Sequence, residues 1–241
     1  MSGRDIRFHD VSFRYAGATS PLLGNVNVHF PKGWSGIVGA NGAGKTTLMR
    51  LATGSLAPTQ GRVEIPEGAV YCAQRTDKAP DGLQQLMKDM DGQAWEIRGR
   101  LGLQESWPER WDSLSHGERK RAQIGVALWR QPPALAIDEP TNHLDREAQT
   151  MLVSALRRYD GVGLLVSHDR SLLDGICRQC AFVDPPGATM RPGGYSKGLA
   201  QVQVERNTVL RERETATREV RKLEREVARR REEASKSHAK R

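Results

Sequence analysis

Aromatic side chains are scarce, 5% of 241 residues, and there are three cysteines, Cys72, Cys177 and Cys180. So few cysteines exclude a disulfide framework and point to a reducing compartment, so a cytoplasmic location is expected. No apolar run approaches the roughly 18–20 residues that a membrane span requires, and no membrane insertion is expected. The opening residues, MSGRDIRFHD, lack the apolar core of a signal peptide. Cys177 and Cys180 form a C-x-x-C pair in ICRQCAFVD, which reads as a strand. On a regular strand, residues three apart face opposite ways, which argues against a shared metal ion or redox pair.

The charge is uneven. Of the 37 basic and 29 acidic residues, 13 and 8 lie between Glu205 and Arg241, a surplus of five; the other 204 positions carry a surplus of three. The basic tail fits either a polyanionic partner or a solvated helix surface. From Leu199 onward there is neither proline nor glycine. Positions 199, 202, 206, 209, 213, 216, 220, 223, 227, 230 and 234 step by three and four, and eight of these eleven are apolar. That pattern predicts one long coiled-coil-like helix whose stripe needs a partner.

Upstream, strands and helices alternate. Strands are expected at Ile6–Tyr15, Val26–Phe30, Ser35–Val38, Gly61–Ile65, Ala69–Gln74, Leu135–Ile137, Val162–Val166 and Cys180–Val183. Helices are expected at Lys45–Thr53, Gly82–Leu103 with a break near Gly92, Glu118–Trp129 and Arg146–Arg158. The result is an α/β fold with a largely parallel, covered sheet and an antiparallel start. The domain expectation is residues 1–198, with a helical subdomain at about 80–130, followed by a charged linker helix at 199–241.

Residues Gly39 to Thr46 read GANGAGKT, a G-x-x-x-x-G-K-[ST] loop between an apolar strand and a helix. Glycines let backbone N–H groups wrap phosphates, and the helix N-terminus adds its positive end. The expected nucleotide contacts are Gly39, Ala40, Asn41, Gly42, Ala43, Gly44, Lys45, Thr46 and Thr47. Lys45 would reach the β- and γ-phosphates and Thr46 a Mg²⁺ ion. In LAIDEP, Leu135 to Pro140, an apolar strand ends in two acids. Asp138 would hold the metal and Glu139 would polarise the attacking water.

LSHGE, Leu114 to Glu118, opens a helix and resembles the signature segment of the ATP-binding-cassette (ABC) family, usually written LSGGQ. The resemblance implies an ABC-type ATPase with ATP and Mg²⁺ as cofactors. It implies that Ser115 and Gly117 touch the γ-phosphate of ATP held by a second ABC domain, in the same parent chain or a homodimer. His116 and Glu118 depart from the transporter-like form. Read without the family, Ser115 is a helix N-cap and Glu118 completes a capping box; both readings can hold. By the same resemblance Tyr15 stacks on adenine, although it also reads as a strand residue packing locally. Gln74 senses Mg²⁺ and water, His168 contacts the γ-phosphate, and Asp145 crosses to the partner domain.

DEPTNHLD, Asp138 to Asp145, and PGGYSKGL, Pro192 to Leu199, resemble the ABC-F branch, whose members join two ABC domains by a charged helical linker. That branch implies a ribosome-associated translation factor or a ribosome-protection ATPase of antibiotic resistance, with the basic helix reaching rRNA or tRNA. The absence of a second ABC domain and of a return helix reads as a truncated half, which would hydrolyse ATP slowly by itself. An ATPase subunit of an ABC transporter is the alternative; the long C-terminal helix counts against it. A DNA-repair ATPase with inserted coiled coil is disfavoured, because only 39 residues separate Gln74 from Leu114.

Overall fold

The computed structural model describes residues 5–238, and the side chains of all of these except 209, 210 and 221–238. The chain divides into two compact units, Met1–Gly198 and Leu199–Arg241.

In the first unit, strands β1 (Ile6–Phe13), β2 (Leu23–Val26), β3 (His29–Phe30) and β5 (Gln60–Glu64) form an antiparallel sheet around β1. The antiparallel start was expected; its separation into a sheet of its own was not. A second, six-stranded sheet has the order β10-β9-β4-β8-β7-β6. It uses β4 (Gly33–Gly39), β6 (Val70–Cys72), β7 (Ala134–Asp138), β8 (Val162–Val166), β9 (Cys177–Asp184) and β10 (Gly187–Pro192). All its pairs are parallel except β9 with β10.

Alternation along the strands sorts the core into two layers. In β7, Ala134 and Ala136 face a cluster that holds Phe8, Phe30, Leu48 and Leu51. Leu135 and Ile137 face another that holds Leu86, Trp107, Ile124 and Leu152. The first cluster packs α1 (Lys45–Ala52) between the two sheets. The second packs α2 (Leu83–Lys88), α3 (Gly92–Leu101), α4 (His116–Trp129), α5 (Arg146–Leu156) and α6 (Arg170–Ile176) on the other face. Among the described residues no strand lies between Cys72 and Ala134, so 83–129 is helical apart from its turns. Both faces of the parallel sheet are therefore covered, and β7 and β8 are buried at every position.

Three differences from expectation have local causes. Helix α6 follows Asp169, whose carboxylate accepts from the Ser171 and Leu172 N–H groups; at seven residues it is too short to show periodicity. Strand β10 exists through its pairing with β9. The C-x-x-C pair is corrected: β9 shifts register against β4 between Trp34 and Ser35, which pair with Cys177 and Gln179. The extra residue turns both cysteines the same way. A Cβ placed on Gly36 would sit 2.8 Å from Cys180 Sγ and 3.5 Å from Cys177 Sγ. Burial pushes the Cys180 thiol up to about 11 and the Cys177 thiol up further, as apolar surroundings disfavour thiolate.

The second unit belongs to α7 (Tyr195–His238). Of the apolar stripe, Val220 is 54% exposed, and Arg213 and Ala216 are exposed too. Stripe positions 209, 223, 227, 230 and 234 lie outside the residues whose side chains are described.

Candidate nucleotide site

The carboxyl ends of β4, β6, β7 and β8 meet at one edge of the parallel sheet, where open α/β sheets place their ligands. A cleft of about 550 Å³ opens there. Tyr15, Asn41, Gly42, Gly44–Thr47, Gln74, Asp138, Glu139 and His168 line it. The structure thus gathers in one place residues spread over more than 150 positions. Gly39, Ala40 and Ala43 shape the loop beneath.

The loop is built around backbone donors. Gly44 is the N-cap of α1 with φ 97°, in the left-handed region that glycine reaches without strain. No side chain caps α1, and its first turn carries no acid. Its first N–H groups are therefore open to an anion. Lys45 Nζ donates to the Gly39 and Ala40 carbonyls, each at 3.0 Å, folding the cation back over the loop. A phosphate group fits this arrangement: uncapped donors, a cation and no competing carboxylate in the first turn.

Thr46 Oγ1 donates to Asp138 Oδ2 at 2.8 Å, and the Tyr71 hydroxyl donates to the same oxygen at 3.0 Å. A hydroxyl and a carboxylate in contact, with Gln74 on the same cleft, form an all-oxygen set suited to Mg²⁺. Burial and the Asp138 charge push the Tyr71 phenol upward, so it stays a donor. Glu139 is 5% exposed and has φ 48°. Its backbone N–H donates to Val166 O, and its Oε2 accepts from the His168 N–H at 3.2 Å. His168 Nε2 stands 3.4 Å from Glu139 Oε1. Burial raises the Glu139 carboxyl above its usual range, while His168 and Lys45 pull it down. Tyr15 is 46% exposed, stands edge-on to Phe13 at 4.8 Å and shares a 2.9 Å hydrogen bond with Thr47 Oγ1.

Ser115, Gly117 and Asp145 do not line this cleft. Ser115 is the N-cap of α4: its Oγ accepts from Glu118 N–H, and the Glu118 carboxylate accepts from Ser115 N–H. Gly117 lies against the loop before α5. A Cβ there would come within 2.9 Å of His143 O and 3.0 Å of Leu144 Cδ2. Asp145 caps α5 through the Ala148 N–H at 2.8 Å. The three residues thus gather near one another through helix starts, away from the phosphate loop.

Sequence reasoning missed Lys120 and Tyr71. Lys120 is 3% exposed, and its Nζ donates to Ala73 O at 2.7 Å and Asp138 O at 2.9 Å. Burial pushes it down to about 8, partly offset by Cys72, Asp138 and Glu139. The signal was present: Lys120, Ile124 and Leu128 are spaced by four on the buried face of α4.

The family model described as ABC transporter matches residues 23–142. The probable ATP-binding protein YheS of Escherichia coli K12 is 32% identical over 188 residues, 71% of this chain and 29% of that protein. Protein GCN20 of Saccharomyces cerevisiae is 32% identical over 77% of this chain and 26% of its own length. ATP-binding cassette sub-family F member 2 of Mus musculus is 32% identical over 78% and 32%. The chain thus spans about a third or less of these curated relatives. Among solved structures, the ATP-binding cassette MJ0796, a dimer in a post-hydrolysis state bound to ADP and Pi, superposes with a TM-score of 0.63. The identity is 19%, and the match covers 78% of this chain and 98% of that one. An ATP-binding subunit of an ABC transporter superposes at 0.61 with 18% identity, covering 78% and 89%.

Proposed function

From the premise that the chain belongs to the ATP-binding-cassette family, in its ABC-F branch, we propose a Mg²⁺-dependent ATPase that works on the ribosome. The observation that carries the hydrolytic part is the single cleft holding the phosphate loop, Asp138, Glu139, Gln74 and His168. The α1 N-terminus and Lys45 bind the β- and γ-phosphates, and Tyr15 offers its ring to the adenine. Thr46, Asp138 and Gln74 hold Mg²⁺, which neutralises charge on the phosphate oxygens. Glu139 orients the attacking water and accepts its proton; burial makes it a better base than a solvated glutamate. His168 bonds Glu139 and faces the γ-phosphate.

Ser115 and Gly117 complete the site of a second ABC domain, with Asp145 crossing between the two. ATP closes the pair, and hydrolysis with phosphate release opens it, because the closed state binds ATP better. One chain by itself therefore binds ATP and turns it over slowly. The ribosome reading, as a translation factor or a resistance ATPase in the cytoplasm, is supported by the ABC-F likeness and by the basic residues of 205–241, which supply salt-sensitive phosphate contacts.

Ribosome co-sedimentation of the Glu139→Gln protein, with ATP and with ADP over a salt series, tests it. ATP-dependent pelleting that weakens steeply with salt is expected. No pelleting while ATP still binds overturns the ribosome reading and directs the search to a membrane partner.

A further inference from the structure

A lysine with 3% exposure is out of place on a helix face that otherwise buries Ile124 and Leu128. An ammonium removed from water costs several kcal/mol unless it is well bonded, and an apolar side chain of similar length would be cheaper. Stability therefore gives no reason for Lys120, and its two acceptors indicate another role. Ala73 O belongs to the peptide unit that leads into Gln74. Asp138 O belongs to the one that leads into Glu139. Lys120 itself lies on α4, whose first turn carries Ser115 and Gly117. One ammonium thus joins three elements: the helix that presents the signature residues, the segment that presents Gln74, and the strand that presents Glu139.

We propose that Lys120 is a positioning residue that ties the signature helix to the Gln74 and Glu139 backbones, so that the two half-sites of one chain move together. The inference rests on the ATP-hydrolysis reading for its kinetic consequence but not for its structural one. In an ABC pair, Gln74 and Glu139 serve the nucleotide on this chain, and Ser115 and Gly117 serve the nucleotide opposite. A rigid tie between them lets occupancy of one site be felt at the other. Lys120 does not line the nucleotide cleft; it acts through the two carbonyls.

The test compares wild type with Lys120→Met, which keeps the length and apolar stem but has no donor. Hydrogen exchange needs no catalysis. Amides of Gln74 and Glu139 are expected to exchange at least tenfold faster in Lys120→Met, with those of α1 unchanged. In steady-state ATPase assays kcat is expected to fall about tenfold or more, with KM within about threefold, and Lys120→Arg, which retains donors, to recover part of the loss. Unchanged exchange at both amides overturns the tie whether or not the wild type hydrolyses ATP. A rise in KM that accounts for the whole kinetic loss overturns the positioning role. Should Lys120→Met not fold, the same two measurements on Lys120→Arg and Lys120→Gln decide: exchange and kcat within about threefold of wild type in Lys120→Arg support a donor role, and a tenfold or greater change in both variants overturns it.

Discussion

The phosphate cleft and the signature face are built on opposite terms. In the cleft, functional groups hold one another: Thr46 and Tyr71 converge on Asp138, Glu139 meets His168, and Lys45 folds onto its own loop. On the signature face, Ser115 and Asp145 bond, among the described residues, within the helices they cap. The cleft groups contact one another within one chain, whereas the signature face has its polar groups satisfied by the starts of its own helices. A substitution in the cleft should therefore show in a single chain, and one on the signature face chiefly when two domains meet.

Glu139→Gln should have the largest effect. Hydrolysis is expected to fall about 100- to 10,000-fold with ATP affinity retained, measured as phosphate release beside equilibrium binding of a fluorescent ATP analogue. Hydrolysis within twofold of wild type would remove Glu139 from the base role. Lys45→Ala should weaken ATP binding about 100-fold, since two charge-assisted contacts are lost; calorimetry with equal affinity in both proteins would refute the phosphate-loop reading. Gly117→Ala should cost about 1–3 kcal/mol of stability through the crowding at His143 O and Leu144. Denaturant unfolding reads that cost, while the ATP affinity of the single chain stays unchanged. Ser115→Ala should be mildest, at about 1 kcal/mol from the lost cap, or about 2–4 °C in thermal melting. If Ser115→Ala instead lowered ATP affinity in a single chain, the separation of the two regions would fail.

Legibility in the sequence follows the same division. The phosphate loop and the LAIDEP strand are runs of neighbouring residues whose chemistry depends on local backbone, so composition and order sufficed. The capping box at Ser115 and Glu118 spans four residues and was legible for the same reason. Tyr71 was not, because its role comes from pairing β6 beside β7, which sets Val70–Cys72 against Leu135–Ile137. The common face of Cys177 and Cys180 was misread, because a bulge is decided by the neighbouring strand.

The sequence by itself determined the phosphate-loop and LAIDEP segments, most of the strands and helices, and that the residues after Leu199, which carry five of the surplus of eight positive charges, read as a helix without proline or glycine. Those are consequences of short-range sterics, periodicity and capping. Only the tertiary structure decided that the antiparallel strands form their own sheet, that Lys120 reaches two carbonyls 47 and 18 residues away, and that the signature residues stand apart from the cleft. Each depends on which long-range pairings bury the most apolar surface while leaving most buried polar groups a partner, and no local window of residues contains that balance.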